Sequence, residues 1–165
     1  YKSIHYGIVN YKPIIIASML GCFRSVKYLV EYGANLHVFE GINHEYNYNA
    51  LSMASNIGHL KIVKYLALKG LKYTSHDLMF AAKNGYLNLV KFYVSKGINV
   101  NFKGYHGYNS ILMAIMKKHY NIVKYLLSKG SNVHFKLYGK SLIEFAKEKG
   151  YKRIAALLRR YGARE

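Results

Sequence analysis

The sequence predicts an all-α stack of five helix-turn-helix repeats with short connectors, and three observations carry that reading. First, Gly58-His59-Leu60-Lys61-Ile62-Val63-Lys64-Tyr65-Leu66 and Gly85-Tyr86-Leu87-Asn88-Leu89-Val90-Lys91-Phe92-Tyr93 are copies of one unit. Self-similarity at a regular period marks a repeat architecture. Second, Ala17, Ala54, Ala81, Ala114 and Ala146 follow one another at intervals of 37, 27, 33 and 32 residues. Third, Gly33, Gly70, Gly97, Gly130 and Gly162 each stand sixteen residues after those alanines. A constant distance inside the unit and a varying distance between units mean rigid helical pairs joined by connectors of unequal length.

The first helix of each unit carries the alanine, whose small side chain lets adjacent first helices approach closely. A turn follows at Gly21, Gly58, Gly85 or Gly150, where a permissive residue is needed. The fourth unit has Lys118 there, which predicts either an altered turn or a local strain of about 1 kcal/mol. In the second helix, Leu60, Ile62, Val63 and Leu66 share one face while Lys61, Lys64 and Lys69 lie elsewhere. The closing glycine supplies positive φ, and Lys69, Lys96 and Lys129 just before it sit at the negative end of the helix dipole. Tyr28, Tyr65 and Tyr125 fall in core slots. One such pair cannot bury its apolar face, so stacking must supply the core.

The repeats are expected at about 11–38, 47–73, 74–101, 108–134 and 139–165 of a single domain, 1–165. The last reads as a cap, because Lys152, Arg153, Arg159 and Arg160 give its second helix a polar exterior. Residues 1–10 read as the end and connector of a preceding repeat, Ser3-Ile4-His5 matching Asn35-Leu36-His37, and with no initiating Met the chain is expected to be a fragment of a longer protein.

These residues resemble the ankyrin repeat over essentially all 165 positions. The family pattern runs Thr-Pro-Leu-His, Ala-Ala, Gly-His, Leu-x-Ile-Val-Lys and a closing Gly-Ala-Asp-Val-Asn. Here Pro13 fills the proline slot once, Gly58-His59 is complete, and Gly33-Ala34-Asn35-Leu36-His37, Gly97-Ile98-Asn99-Val100-Asn101 and Gly130-Ser131-Asn132-Val133-His134 give the closing motif with Asn for Asp. The threonine and histidine slots of the first helix are mostly lost, which puts their usual hydrogen bonds in doubt. The Lys/Asn/Tyr-rich style, as in Val123-Lys124-Tyr125-Leu126-Leu127, is similar to ankyrin arrays of giant, mimivirus-type DNA viruses.

The resemblance implies a protein-protein interaction module whose connectors form fingers lining a concave face together with the first helices. Slot by slot, that face takes Tyr11, Met19 and Leu20, then Tyr46, Tyr48, Asn56 and Ile57, then Lys83 and Asn84. Tyr105, His106, Tyr108, Met116 and Lys117 follow from the fourth repeat, and Tyr138, Lys140 and Lys149 from the fifth. Tyrosine suits such a surface, because a large amphipathic ring loses little conformational entropy on binding. The competing reading is that 18 tyrosines put some on every face. The 37-residue spacing places extra residues in a finger from Phe39 to Tyr48 that carries Glu40 and Glu45, whereas the 27-residue spacing leaves almost nothing between Gly70 and His76. The result is an uneven groove, unless these are ordinary loop-length changes.

Charge is the outlying quantity: 25 Lys and Arg against 7 Asp and Glu give +18. An unidentified protein with an acidic surface is therefore the expected partner, with AT-rich coding bias as the bland account of the lysines, asparagines and tyrosines. On the outer helices Arg24, Lys61 and Arg153 share one slot, with Lys27, Lys64, Lys91 and Lys124 three residues on. This row is the alternative site, a basic face for nucleic acid or a ribonucleoprotein.

Catalysis is poorly served. Asp77 is the single aspartate, and the spacing of Glu144 and Glu148 reads as surface solvation. The eight histidines form no HxH or HxxxH grouping, and His59 and His119, like His37 and His134, are repeat equivalents. Cys22 has no activating neighbours in sequence, and no glycine-rich phosphate loop is present. The expectation is a non-enzyme with no metal, cofactor or small-molecule substrate. One cysteine, no signal-peptide core and no run of about 18 to 20 apolar residues add the expectation of an intracellular location away from membranes, which the resemblance to viral arrays makes the host-cell cytoplasm, with the nucleus left open.

Overall fold

A computed structural model describes residues 12–38 and 49–164. Residues 1–11, with Tyr11, and the long finger with Tyr46, Tyr48, Glu40 and Glu45 lie outside the described residues, as does the side chain of Tyr105. Among those described, ten α-helices form five pairs: α1 (Pro13–Met19) with α2 (Phe23–Glu31), α3 (Ala50–Ile57) with α4 (Leu60–Leu68), and α5 (Ser75–Asn84) with α6 (Leu87–Ser95), followed by α7 (Ser110–Met116) with α8 (Tyr120–Ser128) and α9 (Leu142–Glu148) with α10 (Lys152–Arg160). The odd-numbered helices pack on one another in succession and more extensively than the even-numbered ones, so they form the closely packed inner row of the stack. Strand is limited to β1 (Lys136–Leu137) and β2 (Lys140–Ser141), an antiparallel pair in the last connector.

The inner helices start on short-range polar pairs that replace the family's lost Thr and His. Asn49 accepts from the Ser52 N–H and Ser52 Oγ accepts from the Asn49 N–H, both at 2.9 Å, a reciprocal capping box on α3. Ser141 and Glu144 repeat the arrangement on α9, and Asn109 caps α7 by accepting from the Leu112 N–H at 3.0 Å. This corrects the reading of Glu144 as merely solvated: the Ser141 N–H bonds its carboxylate and holds its pKa below the ordinary value. On α5 the cap is Thr74, paired with Asp77. It stands seven residues before Ala81, whereas Asn49, Asn109 and Ser141 stand five before their alanines. The shortened connector between the second and third repeats thus runs directly into a longer helix, and its Leu71 is buried in the core.

Between repeats, the same joint recurs. The inter-helix glycines Gly21, Gly58 and Gly85 hold φ of 74, 99 and 88°, and an aromatic ring from the following repeat lies directly on each. A Cβ at these positions would meet the rings of His59, Tyr86 and His119 at 2.6, 2.7 and 2.7 Å. Two of the rings are also bonded, His59 Nε2 lying 3.2 Å from the Met19 carbonyl oxygen and His119 Nε2 3.0 Å from that of Lys83. Lys118 keeps the turn of the fourth repeat without a glycine, holding φ at 62°, and its ammonium lies 5.5 Å from the centroid of Tyr151.

The interior is one continuous apolar cluster from Ile14 to Leu158. Tyr93 is its exception, fully buried where Leu29, Leu66, Leu126 and Leu158 stand in the other repeats. Ser55 donates to the Leu51 carbonyl at 2.8 Å and keeps lone pairs for the Tyr93 hydroxyl, which contacts its Oγ. Nearby, buried Asp77 accepts from the Thr74 N–H at 2.6 Å and from the Thr74 hydroxyl at 3.0 Å through one oxygen, while Oδ1 has no partner. Burial outweighs those bonds and raises the Asp77 pKa; burial, with the Asp77 charge second, pushes the Tyr93 phenol up as well. Tyr28, expected in the core, is instead 57% exposed and stacked on Tyr32 at 4.2 Å. Its slot faces the preceding repeat, and α1 and α2 are the first described pair, whereas Tyr65 and Tyr125 find a neighbour and are half-buried.

Two outcomes test this packing. Gly97 has a φ of 81° but open space at the Cβ position, so Gly97→Ala should cost only the left-handed backbone penalty of about 1–2 kcal/mol. Gly85→Ala adds a collision with His119 and should cost about 1–3 kcal/mol more, read as the difference in denaturant midpoints. For Asp77, the raised pKa means that the folded state keeps a proton the unfolded chain has already released. Stability contributed by this group therefore falls as pH rises from the ordinary aspartate value through the raised one. Asp77→Asn should remove that fall, flattening stability against pH in this window, and should be no less stable than the natural chain at pH 7.

Candidate partner-binding groove

The exposed rim of the inner row is set by the third residue after each alanine, at the end of the inner helix: Leu20, Ile57, Asn84, Lys117 and Lys149. All five are solvent-exposed. Adjacent slots line up across repeats, for the Asn84 amide donates to the Asn56 carbonyl at 2.8 Å and to Asn56 Oδ1 at 2.9 Å. One position nearer the alanine, Met19, Asn56, Lys83 and Met116 are half-buried. Met19, Met116 and the finger residue Tyr108 pack partly against the core, so these three expected contact residues serve the interior as much as the surface.

The two described fingers are tight and carry unusual backbone. His106 and Gly107 hold φ of 55 and 78°, and the finger closes through the Gly104 N–H donating to the Tyr108 carbonyl at 2.7 Å. In the next finger Leu137 pairs with Lys140 across a two-residue loop, Tyr138-Gly139, with φ of 50 and 78°. Positive φ at both loop residues is the geometry that matches strand twist in a two-residue hairpin. A tyrosine is an uncommon occupant of it, because its Cβ crowds the carbonyl in the left-handed region. Tyr138 is nonetheless 80% exposed, and its hydroxyl donates to the His106 carbonyl at 3.4 Å, tying one fingertip to the next.

Electrostatically the described carboxylates are spoken for. Glu31 pairs with Lys27 at 3.6 Å, Glu148 with Lys140 at 2.7 Å, Glu144 caps α9 and Asp77 is buried. Lys140, expected to contact a partner, is thus already committed to Glu148. Lys117 and Lys149 have no carboxylate in ion-pair reach among the described residues.

The outer basic row is exposed as expected at Arg24, Lys27, Lys61, Lys64, Lys91, Lys124 and Arg153. Much of it lies over aromatic rings: Lys61 is 4.2 Å from the Phe23 centroid, Lys64 5.9 Å from Phe92, Lys91 6.0 Å from Tyr125 and Arg153 4.7 Å from Tyr120. Each of these contacts crosses from one repeat to its neighbour, so the row has a packing use that its spacing alone did not reveal. Among the described residues no three His, Cys, Asp or Glu side chains gather as a metal site, and no helix is long and apolar enough to cross a membrane. Cys22 is a free, exposed thiol in the slot that His59 and His119 fill elsewhere.

The comparisons agree with the geometry. A family model described as ankyrin repeats in three copies matches residues 4–77 and again residues 78–164. No curated protein matches the chain. With paired helices, inter-helix glycines and a family match over nearly the whole length, the chain belongs to the ankyrin repeat family.

Proposed function

We propose that this chain is a non-catalytic module that grips a partner protein through its concave side, using the exposed ends of the inner helices and the fingertips. Ankyrin repeats are generally protein-protein interaction modules, which supplies the class of function. The observation that carries the choice of surface is Tyr138, a large ring held in strained backbone and left almost wholly in water. Strain of about 1–3 kcal/mol persists only where the surroundings enforce it, and it concentrates at functional positions. A preformed stack also loses little conformational freedom on binding, so side-chain contacts translate into affinity.

An acidic partner surface fits the charge balance, since the described acids are engaged internally while Lys117 and Lys149 face solvent. A giant-virus origin and work inside a host cell rest on composition alone. Binding of nucleic acid by the outer row has less support, because Lys61, Lys64, Lys91 and Arg153 already pack on rings.

Affinity capture on immobilised protein, with and without nuclease and at two salt concentrations, tests the reading. Tyr138→Asn together with Lys117→Glu should abolish capture of the specific protein partner, while Lys61→Glu, Lys64→Glu, Lys91→Glu and Lys124→Glu together leave it intact and nuclease has no effect. Because asparagine tolerates the left-handed region, Tyr138→Asn alone should raise stability by about 0.5–1 kcal/mol while weakening capture. Nuclease-sensitive capture that follows the outer lysines would contradict the proposal.

A further inference from the structure

The groove's chemistry changes along its length. In the exposed slot that closes each inner helix, the five repeats in order present Leu20, Ile57, Asn84, Lys117 and Lys149. Two aliphatic side chains open the row, a neutral amide follows, and two cations end it. The aliphatic end faces water: Leu20 is 64% and Ile57 39% exposed, two of the few large apolar side chains left outside. Leu20 owes this only in part to its place in the first described repeat, because the same slot is exposed in every other repeat as well. The middle is saturated, Asn84 being turned back onto Asn56 by two hydrogen bonds. At the far end Glu148 is held by Lys140 and Glu144 by the start of α9, so neither neutralises Lys149 or Lys117.

From this order we infer that the partner segment is itself graded: apolar side chains at one end, a neutral stretch, and carboxylates at the other, laid along the inner row in an extended conformation. The inference rests on the groove reading above and adds the partner's chemistry and its spacing. Adjacent helices lie about 8–10 Å apart, so three repeat intervals separate the centre of the Leu20–Ile57 pair from that of the Lys117–Lys149 pair by about 24–30 Å. At about 3.3 Å per residue an extended chain needs roughly eight residues to cover that distance. A uniformly acidic segment leaves the aliphatic end in water, and a uniformly apolar one leaves the two ammonium groups without a counter-charge, so each forfeits half the row. A graded segment long enough to reach both ends gains from both, the second contact being intramolecular once the first is made.

Synthetic peptides provide the probe. One peptide carries three leucines, a five-residue Gly/Ser/Asn spacer and three glutamates, so that the centres of its two ends lie about eight residues apart. A second has the reverse order, a third is a scramble of the same composition, and a fourth has the spacer cut to two residues. Each is titrated into the isotope-labelled 165-residue chain while amide chemical shifts are followed. One of the two graded orders should bind at least about fivefold more tightly than the scramble and the short-spacer peptide, with shifts at Leu20, Ile57, Lys117 and Lys149. Lys117→Glu with Lys149→Glu should remove the advantage, and Leu20→Asp with Ile57→Asp should remove it independently. Equal binding by scramble and graded peptides, with shifts still on the inner row, would overturn the graded partner and leave the groove standing. Shifts confined to α2, α4, α6, α8 and α10 would overturn both readings, and absence of binding by either graded order would overturn the graded partner.

Discussion

The joint in which a ring from one repeat rests on the left-handed glycine of the repeat before it is the constraint on which the architecture depends. A pair of helices seven to ten residues long cannot exclude water from its own apolar face. It becomes stable only when the next pair covers it, and the two must then stay in register. Gly21, Gly58 and Gly85 meet both requirements at once, because positive φ turns the chain from inner to outer helix and the missing Cβ leaves room for His59, Tyr86 and His119. Where the ring is an imidazole, it also engages a carbonyl at the end of the preceding inner helix, satisfying a group the helix leaves unpaired. Lys118 shows the limit of the rule: the turn survives a side chain, and cation-π attraction to Tyr151 replaces close seating.

Between the second and third repeats a polar insertion sits in this otherwise aliphatic stack. Tyr93 takes a leucine slot and needs a partner for its hydroxyl, which Ser55 supplies from the preceding repeat. Asp77 shares the neighbourhood through the Thr74 cap, with one oxygen unpaired. Buried polar groups of this kind add little net stability, but they strongly favour one alignment of neighbours over a slipped one. The insertion lies where the connector is shortest and α5 is longest, so register there depends on side-chain pairing more than on connector length.

Much of the fold was legible because periodic placement of alanine and glycine reflects two steric demands, close approach and positive φ, that few other residues meet. Those demands are local, so they survive when connectors change length. The capping pairs were harder to read: Asn49 with Ser52, and Ser141 with Glu144, do the work of the lost Thr and His with different residues. Tyr28 was placed in the core because its slot is a core slot, yet it is exposed and stacked on Tyr32, whereas Tyr65 and Tyr125 in the same slot meet Phe23 and Lys91 of the preceding repeat. Tyr93 stands in a slot that the sequence shows to be a leucine slot in the other repeats, but the Ser55 hydroxyl that meets its own is a fact of three-dimensional contact. For the groove, the slots were readable but their state was not. That Lys140 is paired with Glu148, Met19 and Met116 lean on the core, and Tyr138 stands out in left-handed backbone are facts of three-dimensional contact.

A stack held by joints presents a recognition surface only while the joints hold, since the rim from Leu20 to Lys149 draws one side chain from each repeat. Native-state hydrogen exchange on His119→Ala, which empties the joint between the third and fourth repeats while leaving every glycine in place, tests that dependence most directly. The account predicts that amides of α7 and α8 lose protection together, in a unit separate from α3 and α4, whose protection stays near that of the natural chain. A uniform loss over all helices, or no loss at α7 and α8, would contradict it.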